Sequence, residues 1–238
     1  MSKNLVVVSA HAADFVWRSG GLIALATRGG GRVVVVTLSL GARGESANLW
    51  RQPGMTMEAV KAQRRAEAEA AAKTLGAELV VMDRMDYPLE VDMEMVESLA
   101  RIMREVRPDY LLTHTPKDPY NKDHETAHRV TFLAREVAQA HGFEPGQPVL
   151  GAPPVYLFEP HQPEMCGFRP TCFVDIGPVV ETKLAAMKCM EQGQPHLIAY
   201  YRELAERRGV HAARNSGRPI RHAEAFEAVH PVVGDFLP

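Results

Sequence analysis

The chain has 238 residues, of which 46% are hydrophobic and 24% are charged, and its formal net charge is −2. This composition is typical of a globular protein with a substantial core, and the small net charge argues against broad binding of nucleic acids or membrane surfaces. Because no apolar run approaches the roughly 20 residues of a bilayer span and the three cysteines lack metal-type spacing, we expect a protein of the reduced cytoplasm.

The first predicted strand covers residues 5–8, a short run of leucine and valines bounded by polar residues. A short helix is predicted for residues 21–28. Between them, His11 and Asp14 follow the carboxyl end of the strand, which is the edge where open parallel sheets bind their ligands. An imidazole and a carboxylate three residues apart on a turn can bind the same divalent cation. The spacing alone is weak evidence, because an ordinary polar loop also produces it.

The later elements repeat this alternation of strand and helix. Short apolar runs predict further strands at residues 33–38, 79–82, 110–113, 155–158 and 172–176. Longer periodic segments predict helices at residues 56–75, 92–107, 125–139, 180–190 and 197–208. The order predicts a Rossmann-like, doubly wound α/β fold with a mainly parallel sheet and helices on both faces. We expect one domain over residues 1–238, with a core of about residues 1–180 and a C-terminal extension of helices and loops over about residues 181–238.

Two loops that follow predicted strands carry candidate acid and base residues. Glu45 lies in the long glycine-rich connection of residues 39–56, and long loops in compact domains are commonly functional. His161 lies just past the predicted strand at residues 155–158, between two prolines that stiffen its backbone. An imidazole titrates near neutral pH and can serve as acid or base. Each residue alone is equally consistent with an exposed loop position.

The stretch His11-Ala12-Ala13-Asp14 resembles the first motif, His-Pro-Asp-Asp, of the LmbE-like metal-dependent deacetylases, the superfamily of N-acetylglucosaminyl-phosphatidylinositol de-N-acetylase. The resemblance implies that His11 and Asp14 bind Zn²⁺. In that motif the middle Asp acts as the general base, and Ala13 stands in its place. Because a methyl group cannot take a proton from water, the resemblance implies that the usual deacetylase mechanism has lost its base.

Residues 114–124 resemble the second superfamily motif, His-x-Asp-His, whose last His is the third zinc ligand. By position, the resemblance implies that His124 is this ligand, with Asp123 beside it and Asn121 in place of the first His. Two His and one Asp leave coordination positions open, as catalytic zinc sites do. A retained metal without the hydrolytic residues indicates a different reaction on the same metal.

Longer phrases resemble a narrower family, the 4-oxalomesaconate hydratases of bacterial gallate degradation. These phrases are residues 8–18, 43–47, 117–121, 151–156 and 158–164. The resemblance implies a zinc-dependent hydro-lyase that adds water to 4-oxalomesaconate and gives 4-carboxy-4-hydroxy-2-oxoadipate. It also implies that Glu45 and His161 are the acid/base pair, and leaves open which of them is the acid.

The implied substrate carries three carboxylates, which arginine side chains bind in a bidentate manner. The candidate substrate-binding residues are Arg18, Arg43, Lys117, Tyr120, Asn121 and Asp123, with the arginines at 214, 218 and 221 as further candidates. We expect a small-molecule tricarboxylate as the ligand and a homo-oligomer as the assembly. No nucleic-acid or membrane partner is expected.

Two other functions stay open. One is a zinc-dependent deacetylase of a small N-acetylated compound, in which Glu45 or Asp123 replaces the missing base. The other is a non-catalytic metal- or ligand-binding protein, because an inactive descendant would also lack the carboxylate at position 13. Retention of the three implied metal ligands together with Glu45 and His161 argues against this second alternative.

Overall fold

The computed structural model describes residues 2–231, which form one seven-stranded sheet with helices on both faces. The strands are β1 (Leu5–Ser9), β2 (Val33–Ser39), β3 (Glu78–Arg84), β4 (Tyr110–Thr113), β5 (Val155–Phe158), β6 (Cys172–Asp175) and β7 (Ala223–Ala228). The helices are α1 (Asp14–Arg28), α2 (Ala47–Trp50), α3 (Met57–Leu75), α4 (Met93–Val106), α5 (Lys122–Gln139), α6 (Pro163–Cys166), α7 (Val180–Lys188) and α8 (Leu197–Ser216). The predicted α/β fold with a mainly parallel sheet is confirmed.

The sheet has the strand order β3-β2-β1-β4-β5-β7-β6. Strand β1 pairs in parallel with both β2 and β4, and β4 pairs in parallel with β5. The winding direction therefore reverses between β1 and β4, which opens a crevice at the carboxyl ends of the strands. The loops after β1, β2, β4 and β5 all reach this edge of the sheet.

The central strands consist mainly of apolar residues because helices cover both faces. Val7 and Val35 belong to the buried cluster on one face, which also contains apolar residues of α1, α3 and α7. Val6 and Val8 belong to the cluster on the other face, with residues of α4 and α5. The rigid sheet between these clusters fixes the positions of the loops at its carboxyl edge.

Helix α3 begins and ends where the sequence predicts. The Thr56 side chain accepts a hydrogen bond from Ala59 N at 3.2 Å, as an N-cap does. Gly76 ends the helix with φ at 74°, a left-handed conformation that glycine adopts without steric cost. Local sequence therefore suffices to define this element.

The predicted start of α1 at residue 21 is wrong, because the helix already begins at Asp14. Its first turns are buried on every side and include Arg18, Ser19 and Gly20. A helix buried all round lacks the amphipathic period from which helices are predicted. Asp14 consequently lies in the first turn of a helix rather than on a loop.

The predicted C-terminal extension contributes more to the sheet than expected. Helix α8 continues to Ser216, beyond the predicted end at residue 208, and β7 was not predicted at all. Its sequence, Ala-Glu-Ala-Phe-Glu-Ala, is rich in poor strand formers, and antiparallel pairing with β5 and β6 on its two sides stabilises it. Residues 232–238 of the predicted extension lie outside the described residues.

Within residues 2–231, none of the helices has the length and apolar character needed to span a membrane.

Candidate active site

His11, Asp14 and His124 come together at the carboxyl edge of the sheet. His11 follows β1, Asp14 is the first residue of α1, and His124 lies in the first turn of α5. His11 Nδ1 is 3.5 Å from Asp14 Oδ2, and Asp14 Oδ1 is 3.6 Å from His124 Nε2. All three side chains are buried. Residues that are more than a hundred positions apart therefore share one small volume.

The donor atoms of this group fit a divalent metal ion. His11 Nδ1 and His124 Nε2 are buried and make no hydrogen bond in the described part of the chain, which is unusual for polar atoms removed from water. Ligands bound to one tetrahedral ion at roughly 2.0–2.2 Å lie about 3.3–3.6 Å apart, close to the separations of Asp14 from the two imidazoles. Two imidazoles and one carboxylate are also a donor set of catalytic zinc sites.

Each imidazole contacts a carboxylate through the ring nitrogen that is not a candidate metal donor. His11 Nε2 lies 3.0 Å from Asp123 Oδ2, and His124 Nδ1 lies 2.8 Å from Asp118 Oδ2. Metal-binding histidines typically make such a contact through the nitrogen that faces away from the metal, which fixes the tautomer and the ring orientation. The arrangement therefore presents His11 Nδ1 and His124 Nε2 to a shared ligand.

Asp123 was expected to bind substrate, and the structure places it behind His11 instead. Its Oδ2 also accepts a hydrogen bond from Tyr87 N at 3.0 Å, and its Oδ1 accepts one from Leu89 N at 2.8 Å. Both oxygens are thus engaged by the protein. This geometry favours a role in orienting His11 over the contact with substrate that the sequence suggested.

Asp118 and His114 are site residues that we did not predict. His114 Nε2 accepts a hydrogen bond from Ala10 N at 3.0 Å, and its ring stacks on His124 with 4.2 Å between centroids. Burial and the neighbouring His124 lower the pKa of His114 to about 3, so it is neutral. The available signal was its position directly after β4, whereas Asp118 had no signal beyond lying in the same loop.

Glu45 lies against the metal-binding group from the loop after β2. Its Oε1 is 3.2 Å from His11 Nδ1 and 3.8 Å from His124 Nε2, and it accepts a hydrogen bond from Asn121 Nδ2 at 2.9 Å. Burial opposes ionisation of this carboxyl group, but in the metal-free protein the protonated form of His11 outweighs it and lowers the pKa of Glu45 to about 2. A divalent cation would act in the same direction. Glu45 is therefore an ionised carboxylate.

The loop that carries Glu45 is held in place by the buried side chain of Asp86. Its two carboxylate oxygens accept hydrogen bonds from Arg43 N at 3.0 Å and from Gly44 N at 2.7 Å. At position 44 only glycine fits, because an added Cβ would lie 2.3 Å from the Tyr87 ring. The backbone beside Glu45 therefore has a single arrangement.

His161 follows β5 and lines the same cleft as Glu45, a space of about 680 Å³. Its Nδ1 lies 3.1 Å from the hydroxyl group of Tyr201, and the Tyr200 hydroxyl group donates to its carbonyl oxygen at 2.8 Å. One edge of His161 stays exposed at the cleft. Partial removal of the ring from water, aided by the Arg18 charge, nevertheless lowers the pKa of His161 to about 4.

Replacement of Tyr201 tests whether its hydroxyl group orients His161. We expect Tyr201→Phe to lower kcat about tenfold with little change in KM, since one hydrogen bond to a candidate acid or base is lost. Tyr200→Phe is the matched control, because that hydroxyl group donates to the His161 backbone and not to its ring. Steady-state kinetics of the two variants provide the comparison, and equal effects would contradict an orienting role for Tyr201.

The candidate substrate-binding residues divide into two groups. Arg18 is buried one turn after Asp14, and its Nε and Nη2 make no hydrogen bond in the described part of the chain. Asn121 is connected to the site because its side chain donates a hydrogen bond to Glu45. In contrast, the Arg43 side chain donates to Tyr87 O and lines a separate groove beside Asp92. The lining of the cleft includes neither Arg18 nor Asn121, and it also lacks the remaining candidates Lys117, Tyr120, Arg214, Arg218 and Arg221.

Arg51 and Gln194 are among the residues that line the cleft and were not predicted from the sequence. Arg51 follows α2 and is exposed at the cleft. Gln194 lies between α7 and α8 and faces Glu45. No motif identified either residue, because both belong to segments without a recognisable pattern.

Comparisons with known proteins identify relatives of the whole chain. Residues 6–135 match the family model PIG-L, GlcNAc-PI de-N-acetylase. The chain is 50% identical to a 4-oxalmesaconate hydratase of Pseudomonas putida KT2440, over 99% of this chain and 92% of the relative.

Solved structures show the same fold. The crystal structure of GalB, the 4-carboxy-2-hydroxymuconate hydratase of Pseudomonas putida KT2440, matches with a TM-score of 0.96 at 50% identity and covers 99% of this chain and 100% of that chain. The N,N'-diacetylchitobiose deacetylase of Pyrococcus horikoshii matches with a TM-score of 0.77 at 21% identity, over 96% of this chain and 84% of that chain. The second likeness concerns the fold alone.

Proposed function

The chain belongs to the PIG-L, GlcNAc-PI de-N-acetylase, family, and from this premise we propose that it is a hydratase of an unsaturated keto tricarboxylate. The proposed substrate is 4-oxalomesaconate or its enol tautomer, 4-carboxy-2-hydroxymuconate, and the product is 4-carboxy-4-hydroxy-2-oxoadipate. The two similar hydratases carry the names of these two tautomers, which differ in the position of one proton. We further propose Zn²⁺ as the bound metal and gallate breakdown as the setting.

One observation carries the proposal. Ala13 takes the place of the deacetylase base, while Glu45 and His161 line one cleft beside the candidate metal ligands. Hydrolysis of an amide needs a base beside the metal-bound water, whereas hydration needs two groups that move protons at two neighbouring carbon atoms. The missing carboxylate at position 13 and the presence of Glu45 and His161 together favour hydration over amide hydrolysis.

The proposed reaction adds one water molecule across a carbon–carbon double bond. The water oxygen bonds to the carbon β to the ketone and loses one proton. In 4-oxalomesaconate a methylene group separates the double bond from the ketone, so the π electrons move onto the other alkene carbon, whose attached carboxylate stabilises the developing negative charge. That carbon then takes up a proton, so that atoms and electrons balance without an oxidant. When bound, a divalent ion supplies Lewis-acid stabilisation of the negative charge that develops on substrate oxygen.

Glu45 is the proposed base and His161 the proposed acid. Glu45 is ionised at neutral pH because its pKa is about 2, so it can accept the proton that water loses. His161 is neutral in the free protein, with a pKa of about 4. Three substrate carboxylates beside the imidazole would raise that pKa, because nearby negative charge favours imidazolium. His161 thereby gains the proton it delivers to carbon only when substrate is bound.

Arg18 is the proposed binding residue for one substrate carboxylate. Its guanidinium group is buried, and its nearest carboxylate oxygen is Asp14 Oδ1, 3.5 Å from Nε. A buried guanidinium group with unpaired nitrogens is costly unless a ligand pairs with it. A substrate carboxylate that extends from the cleft to Arg18, which is not itself part of the cleft lining, would meet this need, and Arg51, which lines the cleft, offers a second cation.

Two assays on the purified protein test the proposal. Hydration breaks the conjugation of the substrate, so the ultraviolet absorbance of 4-oxalomesaconate should fall when enzyme is added. The same preparation should release no acetate from N-acetylated sugars. Acetate release on the order of 1 per second or faster, a typical enzymatic rate, would favour the deacetylase instead. No change in either assay would favour a binding protein without catalysis.

A homo-oligomeric state and a cytoplasmic location stay predictions.

Restoring the deacetylase carboxylate should not restore deacetylation. Ala13 is 1% exposed and belongs to an apolar cluster, so an Asp there buries a charge at substantial cost. We expect Ala13→Asp to lower hydratase kcat and protein stability without acetate release. Ala13→Asn is the control for side-chain size without charge. Efficient acetate release by Ala13→Asp would contradict our interpretation of this position.

A further inference from the structure

Gln194 lies in the connection between α7 and α8, and its side chain reaches the cleft beside Glu45. It is buried, with 7% of its surface exposed. Its Oε1 accepts hydrogen bonds from Trp17 Nε1 at 3.1 Å and from Arg64 Nη2 at 3.3 Å. Because both partners can only donate, they fix which end of the amide is oxygen. The amino group Nε2 consequently faces Glu45, 3.4 Å from Oε2.

A buried ion pair supports Gln194 from the side away from the cleft. Arg64 on α3 is fully buried and pairs with Glu67 on the same helix. Glu67 Oε1 also accepts a hydrogen bond from Gly193 N at 2.9 Å. A side chain at position 193 would displace this ion pair, because an added Cβ would lie 2.1 Å from Arg64 Nη1. Helix α3 therefore fixes both the backbone before Gln194 and its amide oxygen.

We propose that Gln194 is a positioning residue that holds Glu45 for proton transfer, an inference that rests on the proposed function. Asn121 Nδ2 donates to one oxygen of Glu45, and Gln194 Nε2 approaches the other. The oxygen bound by Asn121 is the one that lies 3.2 Å from His11 Nδ1. With an amide donor on each oxygen, the carboxylate cannot rotate without losing a contact, so its orientation is fixed before substrate binds.

Trp17 connects this arrangement to the rest of the site. It belongs to α1, the helix that begins with the candidate metal ligand Asp14. While its indole nitrogen donates to Gln194, its ring stacks on Tyr201 with 5.6 Å between centroids. Tyr201 is the residue that contacts His161. One side chain therefore touches the groups that orient both proposed proton carriers.

The variant Gln194→Glu gives the sharpest test. It keeps an oxygen for Trp17 and Arg64 but replaces the amino group facing Glu45 with a second acceptor. We expect kcat to fall about 10- to 100-fold while KM stays within about threefold, because a favourable contact becomes repulsive. Gln192→Glu is the matched control, since it makes the same change on an exposed side chain two residues earlier. The Gln192→Glu variant should leave kcat and KM unchanged.

A double-mutant cycle separates positioning from a general structural effect. In a Glu45→Gln background, Gln194→Glu should lower kcat by no more than about threefold further, because the carboxylate that it would disturb is absent. Equal losses in both backgrounds would overturn the proposal. A Gln194→Glu enzyme whose kcat stays within about threefold of the parent would overturn it as well.

A crystal structure of the Gln194→Glu variant provides a readout that needs no turnover. We expect the Glu45 side chain to leave its contact with Asn121 or with His11. An unchanged Glu45 would overturn the proposal. If the parent protein does not hydrate the tricarboxylate, the proposed function fails, while this structural comparison still decides whether Gln194 holds Glu45.

Discussion

Removing the Glu45 carboxylate is expected to lower kcat by about 10²- to 10⁴-fold, the usual loss for a positioned acid or base. The Glu45→Ala variant should keep a KM near the parent value, because the lost interaction belongs mainly to the transition state. Elemental analysis should find the parent metal content, since Glu45 is proposed as a proton carrier and not as a ligand. Glu58→Ala, which removes an exposed carboxylate at the start of α3, is the control.

His161→Ala is expected to cause a loss of the same order, again about 10²- to 10⁴-fold, with the metal retained. If either variant keeps kcat within about threefold of the parent, that residue does not carry the proton. Loss of metal from Glu45→Ala would instead identify Glu45 as a ligand. The distance of 3.2 Å between Glu45 Oε1 and His11 Nδ1 makes the metal measurement essential.

Removing a candidate metal ligand is expected to have the second large effect. His124→Ala leaves one imidazole and one carboxylate for the metal, too few for a catalytic zinc site with three protein ligands. We expect the purified variant to contain little metal and to lose at least about 10³-fold in kcat, because both the ion and its charge stabilisation are lost. Metal content and hydratase activity of the same preparation check this prediction.

His141→Ala serves as the control for the loss of one histidine, because His141 is exposed after α5 and lies outside the cleft. Removal of metal from the parent protein with a chelator should reproduce the His124→Ala result, and added Zn²⁺ should restore activity. Full activity in metal-free parent protein would contradict the metal proposal. Full metal content in His124→Ala would show that other residues form the site.

The sequence predicted the parallel strands well because their signal is local. Strands β1 and β2 are buried on both faces, so each begins with a run of four branched apolar residues, at 5–8 and 33–36. Helix α3 was equally clear, since Thr56 and Gly76 carry the local chemistry of its two ends. In contrast, β7 depends on two neighbouring strands, and no property of its own six residues predicts it.

Among the candidate site residues, too, those with a local sequence signal were predicted. The resemblance to known motifs implied that His11, Asp14 and His124 are metal ligands. It also identified Glu45 and His161, which the structure brings to one cleft. These assignments stay predictions until the variants are measured.

The positive charge of the side chain alone could not show which arginine binds the substrate. Arg18 and Arg43 were equal candidates, since both lie beside a motif. The structure buries Arg18 at the site and directs the Arg43 side chain into a separate groove. Side-chain direction depends on what packs around a residue, and sequence spacing does not report it.

By itself, therefore, the sequence determined the α/β class, the strands at the centre of the sheet and the residues expected to bind metal and move protons. Only the tertiary structure decided how those residues are held. Asp118 and Asp123 orient the two imidazoles, and Gln194 faces Glu45 from a segment about 150 residues away. The physical reason is that such hydrogen bonds join residues far apart in the chain, which come within reach of one another only after the sheet and its helices have packed.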